Sequence, residues 1–257
     1  MDIEDKLVIA KLEDKIKLSK TRNKIVNTEF LSLYQKEIIK KELNKRKLEN
    51  YFFFGGYDGA EGEILVIYPE KLGRDFAWAN VKNIIKGVRI TLPKETVGKY
   101  THREYLGSVM QTGLNRNRIG DIIVHEAEAY IVVLEENAKY IVDFLKSITR
   151  FSKANIEEID YTEIKVREPE FEKITAVISS MRLDNIVSEL AKVSRSKAEE
   201  LLSEEKVFVN AKCETKDSKI IKENDVLAIR GKGKFIINKV VGNNKKGKTI
   251  VEIKKYK

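Results

Sequence analysis

Two histidines are the chain's only imidazoles, and each stands among carboxylates. His102 sits between Thr101 and Glu104 with Arg103 beside it, and His125 lies near Asp121, Glu126 and Glu128. An imidazole beside a carboxylate can move protons near neutral pH. No motif places a serine or cysteine nucleophile next to either one, and no cofactor loop is present. His102 reads instead as an N-terminal residue of a helix. Cys213 is the single cysteine, so no intrachain disulfide forms, and two histidines beside it do not suggest a four-ligand zinc site. The expectation is no catalytic residue, no metal and no cofactor.

A second constellation suits a different chemistry. Ser194, Arg195, Ser196 and Lys197 stand together at the start of a short helix. Cations normally favour the last turn, because the first turn is the positive end of the helix dipole. Cations, two hydroxyls and unpaired helix N–H groups together make a cradle for a phosphate. The simpler alternative is that Ser194 only caps the helix and the cations are solvated. Arg230, Lys232 and Lys234 lie in "RGKGKF", which lacks the following helix of a nucleotide-binding loop and reads as a basic hairpin turn. Arg116 and Arg118 in "GLNRNRIGD" form a further basic loop, either solvated or in contact with RNA or protein.

Charge is segregated in the same direction. The net charge is +9, and from Met181 onward 19 Lys and Arg face 11 Asp and Glu. Nearly all of the excess thus lies in the last 77 residues, as expected of a polyanion-binding module. No apolar run approaches twenty residues, and the opening "MDIEDKLVIAKLEDK" lacks the apolar core of a secretory signal. A cytoplasmic protein with no membrane partner is expected.

The elements that must position these residues fall into three groups. Residues 1–75 read as a small α/β unit: helices to about residue 50, with Asn27 or Thr28 as an N-cap, then strands "YFFFGG" and "EILVIYP" joined by a glycine-rich loop. Residues 76–170 run strand "VRITL", helix "THREYLGSVMQT" with a Thr101/Glu104 capping box, strands "DIIV" and "AYIVVLE", helix "NAKYIVDFLKSITRF" and strand "EEIDYTEIKV". That β-α-β-β-α-β order is the ferredoxin-like pattern shared with RRM domains. Its central strands offer only Tyr130 for base stacking, so RNA readout on that sheet is not expected. The charged run "REPEFEK" around Pro169 reads as a hinge. Residues 174–257 form an α+β module: helix "RLDNIVSELAK", a helix capped by Ser194, strand "VFV", a turn at Asn210 and a basic hairpin sheet.

The run "MRLDNIVSELAKVSRSKAEELLSEEKVFVN" resembles an S4 (αL-type) RNA-binding domain, with its Arg-Leu-Asp opening, Ser-Arg-Ser helix start and Val-x-Val-Asn strand. One position departs: the family usually has Gly where Glu205 stands, at a left-handed helix end. The resemblance implies RNA binding by Arg182, Ser194, Arg195, Ser196, Lys197, Lys206, Asn210 and Lys212, with Arg230, Lys232 and Lys234 adjoining. His102, Arg103, Arg116 and Arg118 are expected as secondary contacts. Together with "THREYLGSVMQTGLNRNRIGDIIV" and "YFFFGGYDGAEGEILVIYP", the whole chain is similar to the YlmH family of bacterial S4-domain RNA-binding proteins. That similarity implies binding to rRNA and tRNA on the large ribosomal subunit, in rescue of subunits obstructed by peptidyl-tRNA. A monomer away from the ribosome and no enzymatic step are expected. Two other classes stay open. An RNA-modifying enzyme of the pseudouridine synthase or methyltransferase kind would leave a modified base or hold S-adenosylmethionine. A protein scaffold would bind its partner independently of salt.

Overall fold

The first fifty residues are not one helical stretch. Helix α1 (Ile3–Arg22) is followed by a short strand, β1 (Val26–Asn27), and only then by α2 (Leu33–Lys45). The cap of α2 is Ser32, whose hydroxyl accepts from the Gln35 amide while the Gln35 side chain accepts from the Ser32 amide. Asn27 and Thr28, the caps expected from sequence, are used by the sheet instead. Asn27 pairs with Val66, and the Thr28 hydroxyl accepts from the Leu65 amide at 2.9 Å. A β-pairing partner some forty residues away thus overrides a local capping preference.

The computed structural model describes residues 3–166 and 170–256. Pro169, the centre of the expected hinge, lies outside the described residues. Backbone contacts divide the chain into two compact units, Met1–Arg167 and Glu168–Lys257.

In the first unit, β2 (Tyr51–Phe54) and β3 (Ile64–Ile67) complete a three-stranded sheet of order β1-β3-β2. Helix α3 (Gly73–Ala79) leads to β4 (Ile85–Thr91), α4 (His102–Met110), β5 (Ile119–Val124), β6 (Glu128–Leu134), α5 (Glu135–Ser147) and β7 (Asn155–Asp160). The four-stranded sheet has the order β5-β6-β4-β7, all antiparallel. Renumbered within the domain this is 2-3-1-4, the ferredoxin-like arrangement read from the sequence. Thr101 and Glu104 form the expected capping box on α4. Strand β7 is shorter than expected, because Asp160 caps a 3₁₀ turn over Tyr161–Glu163.

Both faces of that sheet are buried. Ala129, Ile131 and Val133 of β6 pack with α4 and α5, including Tyr105, Val109 and Ile141. The alternate residues Tyr130, Val132 and Leu134 share a second core with Phe30, Phe52, Ile64 and Val66. An RRM stacks bases on this second face. Here the N-terminal elements cover it, and Tyr130 is fully buried.

The second unit begins with β8 (Phe171–Ile178), then α6 (Leu183–Ala191), α7 (Arg195–Ser203), β9 (Val207–Val209), β10 (Lys212–Cys213), β11 (Val226–Ile229), β12 (Gly233–Asn243) and β13 (Thr249–Tyr256). They form one six-stranded sheet, β10-β9-β11-β12-β13-β8. Strand β8 is therefore part of this unit's sheet, paired along its length with β13. One face of the sheet packs on α6 and α7 through Val207, Leu227, Phe235, Ile237 and Val251 against Leu183, Ile186, Val187, Ala198 and Leu202. Each of these buried side chains larger than alanine contributes roughly 1.5–3 kcal/mol.

Candidate nucleic-acid interface

Helices α6 and α7 are joined by a three-residue corner. Lys192 takes the left-handed conformation, φ 56°, and closes α6 with its amide on the Ser188 carbonyl. The Ser188 hydroxyl donates to the Val193 carbonyl at 2.7 Å. Ser194 then caps α7, accepting from the Lys197 amide at 3.3 Å, and its oxygen lies 3.1 Å from that of Ser196. The expected hydroxyl pair at the helix start is thus in place.

The arginines are organised by a residue to which sequence reasoning gave no role. Asp184 is fully buried, and its carboxylate accepts from both Arg182 and Arg195. Arg182 donates at 3.1 and 2.9 Å, and Arg195 at 2.9 and 2.5 Å. The Asn185 amide adds a further donor at 2.9 Å. Burial by itself raises the Asp184 pKa, but the hydrogen bonds from Arg182, Arg195 and Asn185 together outweigh it and hold the group below the usual aspartate value. Arg182 also reaches Asp217 at 3.1 Å. The carboxylates of Asp184, Glu199 and Asp217 come close enough together to hold a cation, yet Asp184 is already neutralised by two guanidiniums.

The outer edges of the cations remain accessible. The Arg195 side chain is 55% exposed, with Glu199 at 3.5 Å. Lys197 pairs with Glu200 at 2.5 Å and Lys206 with Glu204 at 2.7 Å, each about half exposed. Such surface pairs contribute little, so a phosphate can displace them. Glu205 has φ 56°, the left-handed state that glycine adopts more easily. Its amide donates to Leu202 and that of Lys206 to Leu201, which makes a Schellman end on α7 with glutamate in the strained position.

Asn210 is engaged in the fold. Its side chain donates to Asp225 and accepts from the Val226 amide, both at 2.9 Å, while the backbone turns at φ 51°. Lys212 lies on β10, half-buried. Beyond β11, Arg230 lies over the Phe208 ring at 5.0 Å, Lys232 is exposed in the turn, and Lys234 lies over Tyr256 at 4.9 Å.

The secondary candidates belong to the first unit. His102 and Arg103 are exposed at the start of α4. Arg116 is exposed, but its guanidinium donates to the carbonyls of Ile119 and Gly120, and partial burial of that group lowers its pKa. Arg118 pairs with Glu29 and Glu136. His125 places Nε2 2.9 Å from the Lys165 carbonyl and packs edge-on against Tyr130.

A ferredoxin-like domain followed by a helix pair and sheet with clustered cations defines a modular RNA-binding protein. Residues 84–171 match the family model described as "Putative RNA-binding domain in YlmH", and residues 181–227 match the S4 domain. The chain is 31% identical over 212 residues to "Ribosome-associated protein quality control protein P2" of Bacillus subtilis (strain 168), across 80% of this chain and 77% of that protein. It therefore belongs to the YlmH family. A solved structure, "Cell division protein ylmH from Streptococcus pneumoniae", is similar with a TM-score of 0.50 and 26% identity, over 63% of this chain and 95% of that one. Among the described residues no helix is long and apolar enough to cross a membrane.

Proposed function

We propose that the chain binds structured RNA of the large ribosomal subunit through the α6–α7 corner. There it acts, without a covalent step, in clearing subunits obstructed by peptidyl-tRNA. The observation that carries this reading is the buried Asp184 carboxylate, which holds Arg182 and Arg195 side by side next to the capped start of α7. Two guanidiniums fixed by one carboxylate are pre-oriented for phosphates, and less side-chain entropy is lost on binding than with free arginines. Ser196, Lys197, Lys206 and Lys212 extend the surface, and Arg230, Lys232 and Lys234 of the β11–β12 hairpin are proposed as further RNA contacts. His102, Arg103, Arg116 and Arg118 are proposed as secondary contacts from the first unit. The name of the Bacillus subtilis relative supports the ribosomal target and a cytoplasmic location.

The test is sedimentation of the full chain with purified subunits, followed by crosslinking and sequencing of the bound RNA. The expected result is co-sedimentation with large subunits, lost in the Arg195→Ala/Lys197→Ala double variant. Undiminished co-sedimentation of that variant overturns the reading.

A further inference from the structure

The second unit's sheet has another face, turned away from α6 and α7, and its side chains form an ordered row. Phe208 on β9 is opposite Ala228 on β11, and Ala228 is opposite Lys234 on β12. The β12–β13 register, with Phe235 opposite Lys255, brings Lys234 level with Tyr256. Tyr256 in turn is opposite Phe171 on β8. A single line thus crosses five strands, with a ring at one end and two at the other. At a strand spacing of about 4.8 Å it spans on the order of 19 Å.

Every ring in the row carries a cation. Arg230 lies 5.0 Å from the Phe208 centroid, Lys234 4.9 Å from Tyr256, and Lys254 5.7 Å from Phe171. Phe171 and Tyr256 meet edge to face at 4.9 Å. The neighbouring row adds Lys173 opposite Lys254. Among the described residues neither row contains a carboxylate, and Glu252 on this face stands one row further along, opposite Thr175. The rings and most of these cations are half-buried, while Arg230 and Lys173 are exposed. Ala228, at the middle of the row, leaves a shallow step between Phe208 and Lys234.

We infer that this open sheet face binds a single-stranded stretch of RNA, with unstacked bases on the rings and on the Arg230 guanidinium, and phosphates on the lysines. Flat π-surfaces accept any splayed base, and a duplex offers none. The excess of cations over carboxylates fits a polyanion rather than an apolar protein surface. The inference rests on the RNA-binding reading above and extends it: one unit holds structured RNA on its helices and a single strand on the opposite face.

The experiment uses the full chain with two labelled probes, an unstructured oligouridine and an RNA hairpin. Stacking contributes enough per base that each lost ring weakens single-strand binding about five-fold or more. Phe208→Leu/Tyr256→Leu should therefore weaken oligouridine binding about 25-fold or more and leave hairpin binding within about two-fold. Tyr256→Phe keeps the ring and should bind oligouridine as the parent does. Arg195→Ala should show the opposite preference, weakening the hairpin. Unchanged oligouridine binding in the double variant overturns the inference, as does equal weakening of both probes, which means the rings only support the fold. A chain that binds the hairpin but never the oligouridine overturns this inference alone, and one that binds neither defeats both readings.

Discussion

Asp184→Asn is the most informative single change. The side chain has no exposure and receives four guanidinium hydrogen bonds, from Arg182 and Arg195. The amide keeps the shape but loses the charge, and leaves two guanidiniums facing each other across a neutral group. Breaking a buried pair costs roughly 3–5 kcal/mol, and because both arginines reach solvent the lower end, about 3 kcal/mol, applies. For a unit of this size that lowers the melting midpoint by roughly 12–24 °C. Trp78, the only tryptophan, lies in the first unit, so its fluorescence follows that unit while circular dichroism follows both. The variant should shift the circular-dichroism transition of the second unit and leave the Trp78 transition in place. Acid supplies a control. The folded pKa of Asp184 is held below its unfolded value near 3.9, so the unfolded chain takes up the proton first as pH falls. The stabilisation is whole above that value and lost as pH drops through the folded pKa. The gap between parent and variant should therefore close as the pH is lowered from about 5 towards 3. A variant melting within about 2 °C of the parent at pH 7 would refute the account of Asp184 as organiser of the arginines.

Arg195→Ala and Lys197→Ala should each flatten the slope of log affinity against log salt for structured RNA by about one unit. Leu201→Ala, at an 8% exposed core position, should instead cost roughly 2–5 kcal/mol in a denaturant melt and leave the salt slope of the folded fraction unchanged. Glu205→Gly relieves a left-handed φ of 56° and should raise stability by roughly 0.5–1 kcal/mol by thermal melting. A fragment beginning at residue 170 should fold and bind RNA, whereas one beginning at 174 lacks Phe171–Lys173 of β8 and should melt earlier, as read by circular dichroism.

Short-range signals in the chain determined a good deal. The Thr101–Glu104 box, the Ser194 cap and the apolar stripes of α6 and α7 all act within one or two turns, so spacing alone exposes them. The β-α-β-β-α-β order was legible for the same reason, since each element carries its own periodicity. Strand partners were not. Whether Thr28 caps a helix or receives the Leu65 amide depends on which strand arrives beside it. Tyr130 is the single aromatic that the central strands offer, and its burial under the N-terminal sheet is announced by nothing local. Arg182 and Arg195 read as two free cations; only the corner between α6 and α7 brings both onto Asp184. The ring row requires the register of five strands at once: Phe171 and Phe208 lie 37 positions apart, and nothing local aligns them. Caps and stripes are written in neighbouring residues, whereas register and burial are settled by the packing of elements distant in the chain.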